Sequence, residues 1–353
     1  MPKEDVMAEN DTLRAARVYL ACVAETPAPA LVGLVAEVGP VAAAALVRAG
    51  DVPQDVVDET CARRDRVVLR DLDFGDPRRD IRLVIPEDDD WPTKQFQAMP
   101  HRPPGEGAPM AEPLALWIRG TQPMVHLLRQ AVAITGSRSS SAYGEHVATE
   151  LGYTLARQEI TTVSGAAYGI DGAALRGALA GEGNTIAVMP CGVDVPYPAG
   201  HAELLRSVAQ HGTIVSAYRP GSTPARHRYL VRNRIMTALS TMLVIPEAGL
   251  RSGALSAAYA AARIGRDVLA APGPITSVTS LGTNQLLRDG VATAITTTQD
   301  VVDAVKDGSS KPCGTCQATR KTSAPDSSTC SSSTPGEVLG SDTPARQTDS
   351  APS

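Results

Sequence analysis

The sequence predicts an α/β fold: a parallel sheet with helices on both faces, a small helical module ahead of it and a disordered C-terminal tail behind it. Three patterns predict this. From residue 131, short apolar runs alternate with helical stretches, as repeated βα units do. Across residues 11–50, Ala, Leu and Val recur at three- and four-residue spacing, the period of a helix with one buried face. From about residue 307 the chain turns to Ser, Thr, Pro and Gly without apolar period, a composition that buries too little apolar surface to order itself.

Taken in order, residues 1–60 read as the helical module. LVGLVAEVGPVAAAALVRAG gives a helix, a turn at Gly39-Pro40 and a second helix ending at Gly50. Helix–turn–helix pairs of this size sometimes bind DNA backbones, but this one carries few positive charges, which favours packing or partner docking. Residues 61–130 read as a connecting segment leading into the sheet. RLVIPEDDDWP is a strand running into an acidic turn, MPHRPPGEGAPMAEP is loop by its Pro and Gly content, and ALWIRG is a strand. Residues 131–306 hold the regular alternation. The expected strands are AVAITG, TTVSG, TIAVMP, GTIVSA, TMLVIPEA, DVLAAPG and ATAI. The expected helices run from Tyr143 to about Gln158, over Gly169–Ala180, along VRNRIMTALS and SGALSAAYAAARIG, and near 298–306.

Bulk composition narrows the function classes. The 353 residues are 43% hydrophobic but only 3% aromatic, so the core must be aliphatic. Net charge is −5, which argues against a uniformly basic nucleic-acid binder. The charge is segregated, however. Residues 1–130 hold 15 Lys/Arg against 21 Asp/Glu, whereas residues 131–306 hold 14 against 12. A polyanion partner therefore belongs on the middle segment. No secretory signal or apolar run of membrane-spanning length is visible, and the plain reading is a cytoplasmic protein with reduced thiols. Cys313-Gly-Thr-Cys316 is a lone CxxC in the tail, short of the roughly four ligands that a metal site needs; no metal and no cofactor are expected.

In a parallel sheet the residues just after each strand face the ligand crevice. After the first of the regular strands stand Gly136, Ser137 and Arg138; after the second stands Ser164-Gly165-Ala166-Ala167-Tyr168-Gly169-Ile170-Asp171. Neither turn carries the GxGxxG dinucleotide fingerprint. Arg138 offers a planar, permanently charged fork suited to phosphate, or else pairs with Glu145. YRPGSTPARHRYLVRNR, residues 218–234, holds Arg219, Arg226, Arg228, Arg232, Arg234 and His227 with no acid. That cluster beside a phosphate-type turn favours a polyanion, although Asn233 and Arg234 also read as a helix cap. Tyr168, Tyr218 and Tyr229 are candidates for stacking on single-stranded bases. Ser252 and Gly253, at the start of another helix, are candidate N–H donors to phosphate. Glu247 beside Arg138 also reads as an acid with an arginine clamp, an enzyme's arrangement. Asp171 and Asp194 read as a helix-start carboxylate and a turn residue.

GSRSSSAYG, SGAAYGID, TIAVMPCGVDVPYP, RNRIMTALS, EAGLRSGALSAA and AAPG, in this order and spacing, are similar to the DprA (Smf) family of DNA-processing proteins. The resemblance implies an extended Rossmann-like domain that binds single-stranded DNA, a homodimer, and loading of a RecA-type recombinase onto DNA taken up in natural transformation. It implies no catalytic residue. Carried over by motif, the DNA contacts fall on Gly136, Ser137, Arg138, Ser164, Gly165, Arg232, Asn233 and Arg234, with Arg226 and Arg228 in a stretch where the family often places DNA-contacting charge. The chain departs from the family's usual pattern at Leu175, Ala217 and Pro190, and the low-complexity tail stands where many members carry a winged helix. The competing readings are a nucleotide-processing enzyme of the related phosphoribohydrolase group, whose PGGxGTxxE loop is replaced here by PEAGLRSG, and an interaction scaffold using the N-terminal helices.

Overall fold

The central apolar runs are short because each is a four-residue strand buried on both faces. The structure is a computed structural model describing residues 3–67, 75–76, 80–99 and 110–308, with side chains from residue 11 onward. The expected tail disorder beyond Gly308 and its CxxC lie outside the described residues. The strands are β1 (Ile81–Val84), β2 (Leu116–Arg119), β3 (Ala131–Ile134), β4 (Thr161–Ser164), β5 (Thr185–Val188), β6 (Thr213–Ser216), β7 (Met242–Ile245), β8 (Asp267–Ala270) and β9 (Thr293–Ala294). They form one sheet in the order β1-β2-β6-β5-β4-β3-β7-β8-β9. Strands β3 to β9 run parallel, and β1 and β2 extend the β6 edge antiparallel.

This order places the function. The chain winds from β3 outward through β4, β5 and β6, then returns to lay β7 against the other side of β3. The reversal between β3 and β7 is a topological switch point, where the loops after the two strands part and leave a crevice.

Four helices precede the sheet: α1 (Lys3–Val23), α2 (Pro29–Val38), α3 (Pro40–Ala49) and α4 (Gln54–Arg64). Gly39, at φ 80°, makes the α2–α3 turn, and Pro40 opens α3. Tyr19, Leu20, Leu31, Ala43 and Val47 form the shared core of these helices. Val18 on the other side of α1 packs with Ile81, Leu83 and Trp117 of β1 and β2. Ion pairs Arg14–Asp88 at 2.5 Å and Arg17–Glu87 at 2.6 Å fasten α1 to the loop after β1.

The short α5 (Thr93–Phe96) and α6 (Met124–Leu127) flank β2; the sheet is then wrapped by α7 (Ala142–Arg157), α8 (Ile170–Ala180), α9 (Ala202–His211), α10 (Arg228–Ala238), α11 (Gly253–Arg263), α12 (Leu281–Arg288) and α13 (Thr298–Gly308). Alternation along each strand divides the core. Ala133, Val163, Leu243 and Ile245 face the side covered by α10, α11 and α12, while Val132, Ile134, Met242 and Val244 face that of α7, α8 and α13. Helices α4, α9 and α12 had no counterpart in the sequence expectations. The apolar stripe of α9 and α12 is only two or three residues wide, Leu205 and Val208 in one and Gly282, Thr283 and Leu286 in the other.

Helices α7 and α8 touch backbone to backbone. A Cβ at Gly152 would collide with the Ala174 carbonyl oxygen, and one at Gly177 with that of Thr149. Bulk there must push the helices apart, so Gly177→Val is expected to cost about 1–3 kcal/mol. It would be seen as a lower urea midpoint at unchanged m-value.

Candidate functional site

The loops after six consecutive parallel strands, β3 to β8, converge on one open cleft of about 1110 Å³ at the switch point. Gly136, Ser137 and Arg138 come from the loop after β3, Ala167 and Asp171 from the segment after β4, and Tyr197 from the loop after β5. Pro224, Ala225 and Arg226 after β6, with Tyr229, Arg232 and Asn233 of α10, form one wall; Gly249 to Ala254 and Val278, Thr279 and Leu281 form the other.

Gly136 is there because three loops meet on it. A Cβ would lie 2.5 Å from the Glu247 carbonyl oxygen and 2.6 Å from Ile170. The Ser137 N–H donates to that same Glu247 carbonyl at 2.8 Å, so this N–H is committed to holding the β3 and β7 loops together and is not free for a phosphate. Arg138 is exposed and lies flat over the Tyr229 ring, 4.6 Å from Cζ to centroid. No ion pair joins it to Glu145 among the described residues; the Glu145 carboxylate accepts from Ser140 Oγ at 3.0 Å instead.

Arg232 sits deeper, 4% exposed. Its Nη1 faces Asp171 Oδ2 at 3.3 Å, and Asp171 is itself 2% exposed. Asp171 also accepts from Thr135 Oγ1 at 2.7 Å and from the Ala167 N–H at 3.3 Å, so one carboxylate joins the β3 loop, the β4 loop and α10. Burial works against the Arg232 charge and Asp171 supports it. A guanidinium stays protonated under such opposition. Gly165 makes room for it: a Cβ there would overlap the guanidinium. The neighbouring Ala166 takes φ 54°, a left-handed conformation that strains an L-residue, and its carbonyl is held by His201 Nδ1 at 3.0 Å.

Asp171 and Asp194, read as a helix-start carboxylate and a turn residue, have those structural roles. Asp171 is the counter-ion of Arg232, and Asp194 accepts from the Gly221 N–H at 2.8 Å. Glu247 is 2% exposed and accepts from Ser141 N–H and Oγ and from Thr279 Oγ1. It is spent on donors at the start of α7 and on Thr279, so the acid with an arginine clamp is not formed. The Cys191 thiol is pushed up to about 12 by burial and by Asp194, which keeps it a protonated, inert group.

Of the residues singled out in the sequence, the cleft brings together Gly136, Ser137, Arg138, Arg226, Arg232, Asn233, Ser252 and Gly253. Gly165 lies beneath them, in a small recess shared with Arg138, Tyr168 and Tyr229. Three others are elsewhere. Ser164 is fully buried, its hydroxyl donating to the Ile134 carbonyl at 2.7 Å. Arg228 is turned toward Glu25 and lies over the Tyr218 ring at 4.5 Å. Arg234 is half-buried on the far side of α10, where burial and then Arg263 disfavour its charge. Ser252 caps α11 through its hydroxyl, and its own N–H donates to Gly249. Tyr218 is buried and unable to stack on a base, whereas Tyr168 is 50% exposed. Sequence reasoning missed Arg251, Tyr197 and His201. Arg251 stands in a loop already marked as facing the crevice, so its position was a usable signal; His201 lies in a helix-opening turn that had none.

The cleft is therefore lined by Arg138, Arg226, Arg232 and Arg251 against a single carboxylate that Arg232 already neutralises. Residues 82–306 match the model of the family described as DNA recombination-mediator protein A. The chain belongs to this family, DprA. A Mycobacterium tuberculosis relative bearing the DprA name is 46% identical over 301 residues, 84% of this chain and 76% of its own length. The DNA processing protein DprA of Streptococcus pneumoniae is 36% identical over 190 residues, 54% of this chain and 66% of its own. The crystal structure of S. pneumoniae DprA aligns with a TM-score of 0.66 at 26% identity, over 83% of this chain and 97% of that one. DNA processing protein A of Helicobacter pylori, whose structure was described for its single-stranded DNA binding mode, aligns with a TM-score of 0.53 at 31% identity, over 61% and 92%.

The Asp171–Arg232 pair has a direct consequence for stability. Removing one partner of a buried pair leaves the other charge uncompensated, so Asp171→Ala is expected to cost about 3–5 kcal/mol. Arg138→Ala, at an exposed site, is expected to stay within about 0.5 kcal/mol of wild type. Parallel denaturant titrations of the two variants check both figures.

Proposed function

We propose that this DprA-family chain binds single-stranded DNA along the switch-point cleft without catalysing a reaction on it. In the cell it protects incoming strands and loads a RecA-type recombinase onto them in natural transformation, as a cytoplasmic homodimer. Residues 131–306 are the binding part, 61–130 the segment that joins them to the helices of 1–60. The observation that carries the reading is the charge of the cleft. Arg138, Arg226 and Arg251 stand exposed on three different loops, and the one carboxylate among them is bonded to buried Arg232. Arginines spaced along an open groove suit successive phosphates of a strand, and the exposed Tyr168 and Tyr197 offer ring faces to its bases. The H. pylori relative's described binding of single-stranded DNA points the same way. Recombinase loading and dimerisation rest on family membership and call for their own tests: co-purification with a RecA-type recombinase, and light scattering.

Phosphate contacts weaken with salt in proportion to their number. For single strands the slope of log affinity against log salt is about −0.7 per neutralised phosphate. Arg138→Ala and Arg226→Ala are each expected to flatten the slope by roughly 0.7 and to weaken binding to all sequences alike. Arg234→Ala, away from the cleft, is expected to leave the slope unchanged. Gel shifts with oligo(dT) and with duplex of equal length, across a salt series, measure this; tighter duplex binding, or slopes identical in all three variants, would overturn the reading.

A further inference from the structure

One carboxylate outside the cleft has more partners than its place in the fold requires. Glu25 lies in the turn between α1 and α2, yet two guanidiniums and an imidazole converge on it. Its Oε1 accepts from Arg228 Nε at 2.6 Å and Nη2 at 2.5 Å. Its Oε2 accepts from Arg63 Nη2 at 2.5 Å and faces His227 Nε2 at 2.9 Å. Arg63 belongs to α4, but His227 and Arg228 directly follow the cleft-lining Pro224, Ala225 and Arg226 after β6. The side chains of Glu25 and Arg228 are only 17% and 19% exposed, so water screens this contact less than it would a surface pair.

The wall has little else to hold it. Residues 217–227 contain no strand and no helix. On the sheet side they are tied by Gly192 N–H to the Ser222 carbonyl and by Gly221 N–H to Asp194. On the opposite side, Arg228 Nη1 donates to the Thr223 carbonyl at 2.6 Å while its remaining nitrogens reach Glu25. Arg228 thus straps the loop from within, and Glu25 anchors the strap to the N-terminal helices. Pro224, Ala225 and Arg226, which line the cleft, lie between these two fastenings.

We propose that Glu25 is a positioning residue for the cleft: through Arg228 it sets the wall that presents Arg226, so that strand binding and docking of the N-terminal helices are coupled. This rests on the single-stranded DNA reading above. Without Glu25 the wall must be ordered by the DNA itself, and the fraction of molecules ready to bind falls. The opposite expectation is also physical, since Glu25 is an anion near a polyanion site. The geometry favours positioning: Arg228 remains tied to Thr223 and stacked on Tyr218, so removing Glu25 does not release it into the cleft.

The test uses the full chain with Glu25→Ala, the milder Glu25→Gln, Arg228→Ala and the Glu25→Ala/Arg228→Ala double variant. Without DNA, hydrogen exchange over residues 219–227 is expected to quicken in each variant while β3 to β8 keep wild-type protection. Oligo(dT) affinity is expected to fall roughly fivefold or more, the low end of coupling between sites. The salt slope should hold, because no phosphate contact is lost, and the double variant should lose no more than the single ones. In the wild type, oligo(dT) should also slow exchange at residues 25–31, and in Glu25→Ala it should not, a readout that a merely structural role would leave alone. Wild-type exchange at 219–227 in Glu25→Ala, or tighter binding with a steeper salt slope, would overturn the proposal. Failure of the wild-type chain to bind oligo(dT) would sink the DNA reading by itself, and the DNA-free exchange would still decide whether Glu25 holds the wall.

Discussion

The site depends on keeping a guanidinium inside the protein. Arg232 is carried into the switch point by α10, and an unpaired charge there would be prohibitive. Asp171 answers it from the first turn of α8, and the rest of the local structure follows. Gly165 has no side chain because the guanidinium occupies that space. Thr135 and the Ala167 N–H also donate to the carboxylate. The left-handed Ala166 is held by His201 so that the turn can pass beneath. Strain and burial are concentrated where three loops meet, and the outer surface of the cleft is left to groups that need no partner inside the chain.

A second buried carboxylate does the same on the other side of the switch point. Glu247 ties the loop after β7 to the start of α7 and to Thr279 after β8. The two acids lie on opposite flanks of the β3 loop, and between them they fix the backbone that aims Arg138. Rigidity of this kind lowers what a ligand must spend on ordering its own site. It also explains how acids near a polyanion site do no harm: each accepts from three donors within the chain, and neither faces the crevice as a free charge.

Much of this was legible in the sequence. All nine strands coincide with expected runs; for β3 to β7 the reason is that a strand buried on both faces leaves a bare hydrophobic stretch flanked by turn residues. Eight of the twelve proposed contact residues line the cleft, because residues after parallel strands have one crevice to face. What failed has a common cause: one-dimensional spacing does not say which side of a helix faces a ligand. Arg232 and Arg234 are two residues apart on α10, so one points to the switch point and the other away. Arg228 reads as a free charge until Glu25, 203 residues earlier, is folded beside it. Ser164 looks like a turn hydroxyl but is the last residue of β4, and its hydroxyl is absorbed by the neighbouring strand's carbonyl.

A chain of net charge −5 with a cationic cleft is no contradiction once distance is considered. At physiological salt, exposed charges more than about 8 Å apart are largely screened from each other, so the field at the cleft is set by its own lining. Several acids of the N-terminal segment are taken up by cations within the chain. Glu87 and Asp88 are taken up by Arg17 and Arg14, and Glu25 by Arg63, His227 and Arg228. Burial alone would raise the Glu25 carboxyl, but Arg228, Arg63 and His227 together hold it below the usual carboxylate value. Glu25 of the helical segment and Arg228 beside the cleft wall thus form one electrostatic joint, which takes up the acid without placing it in the cleft.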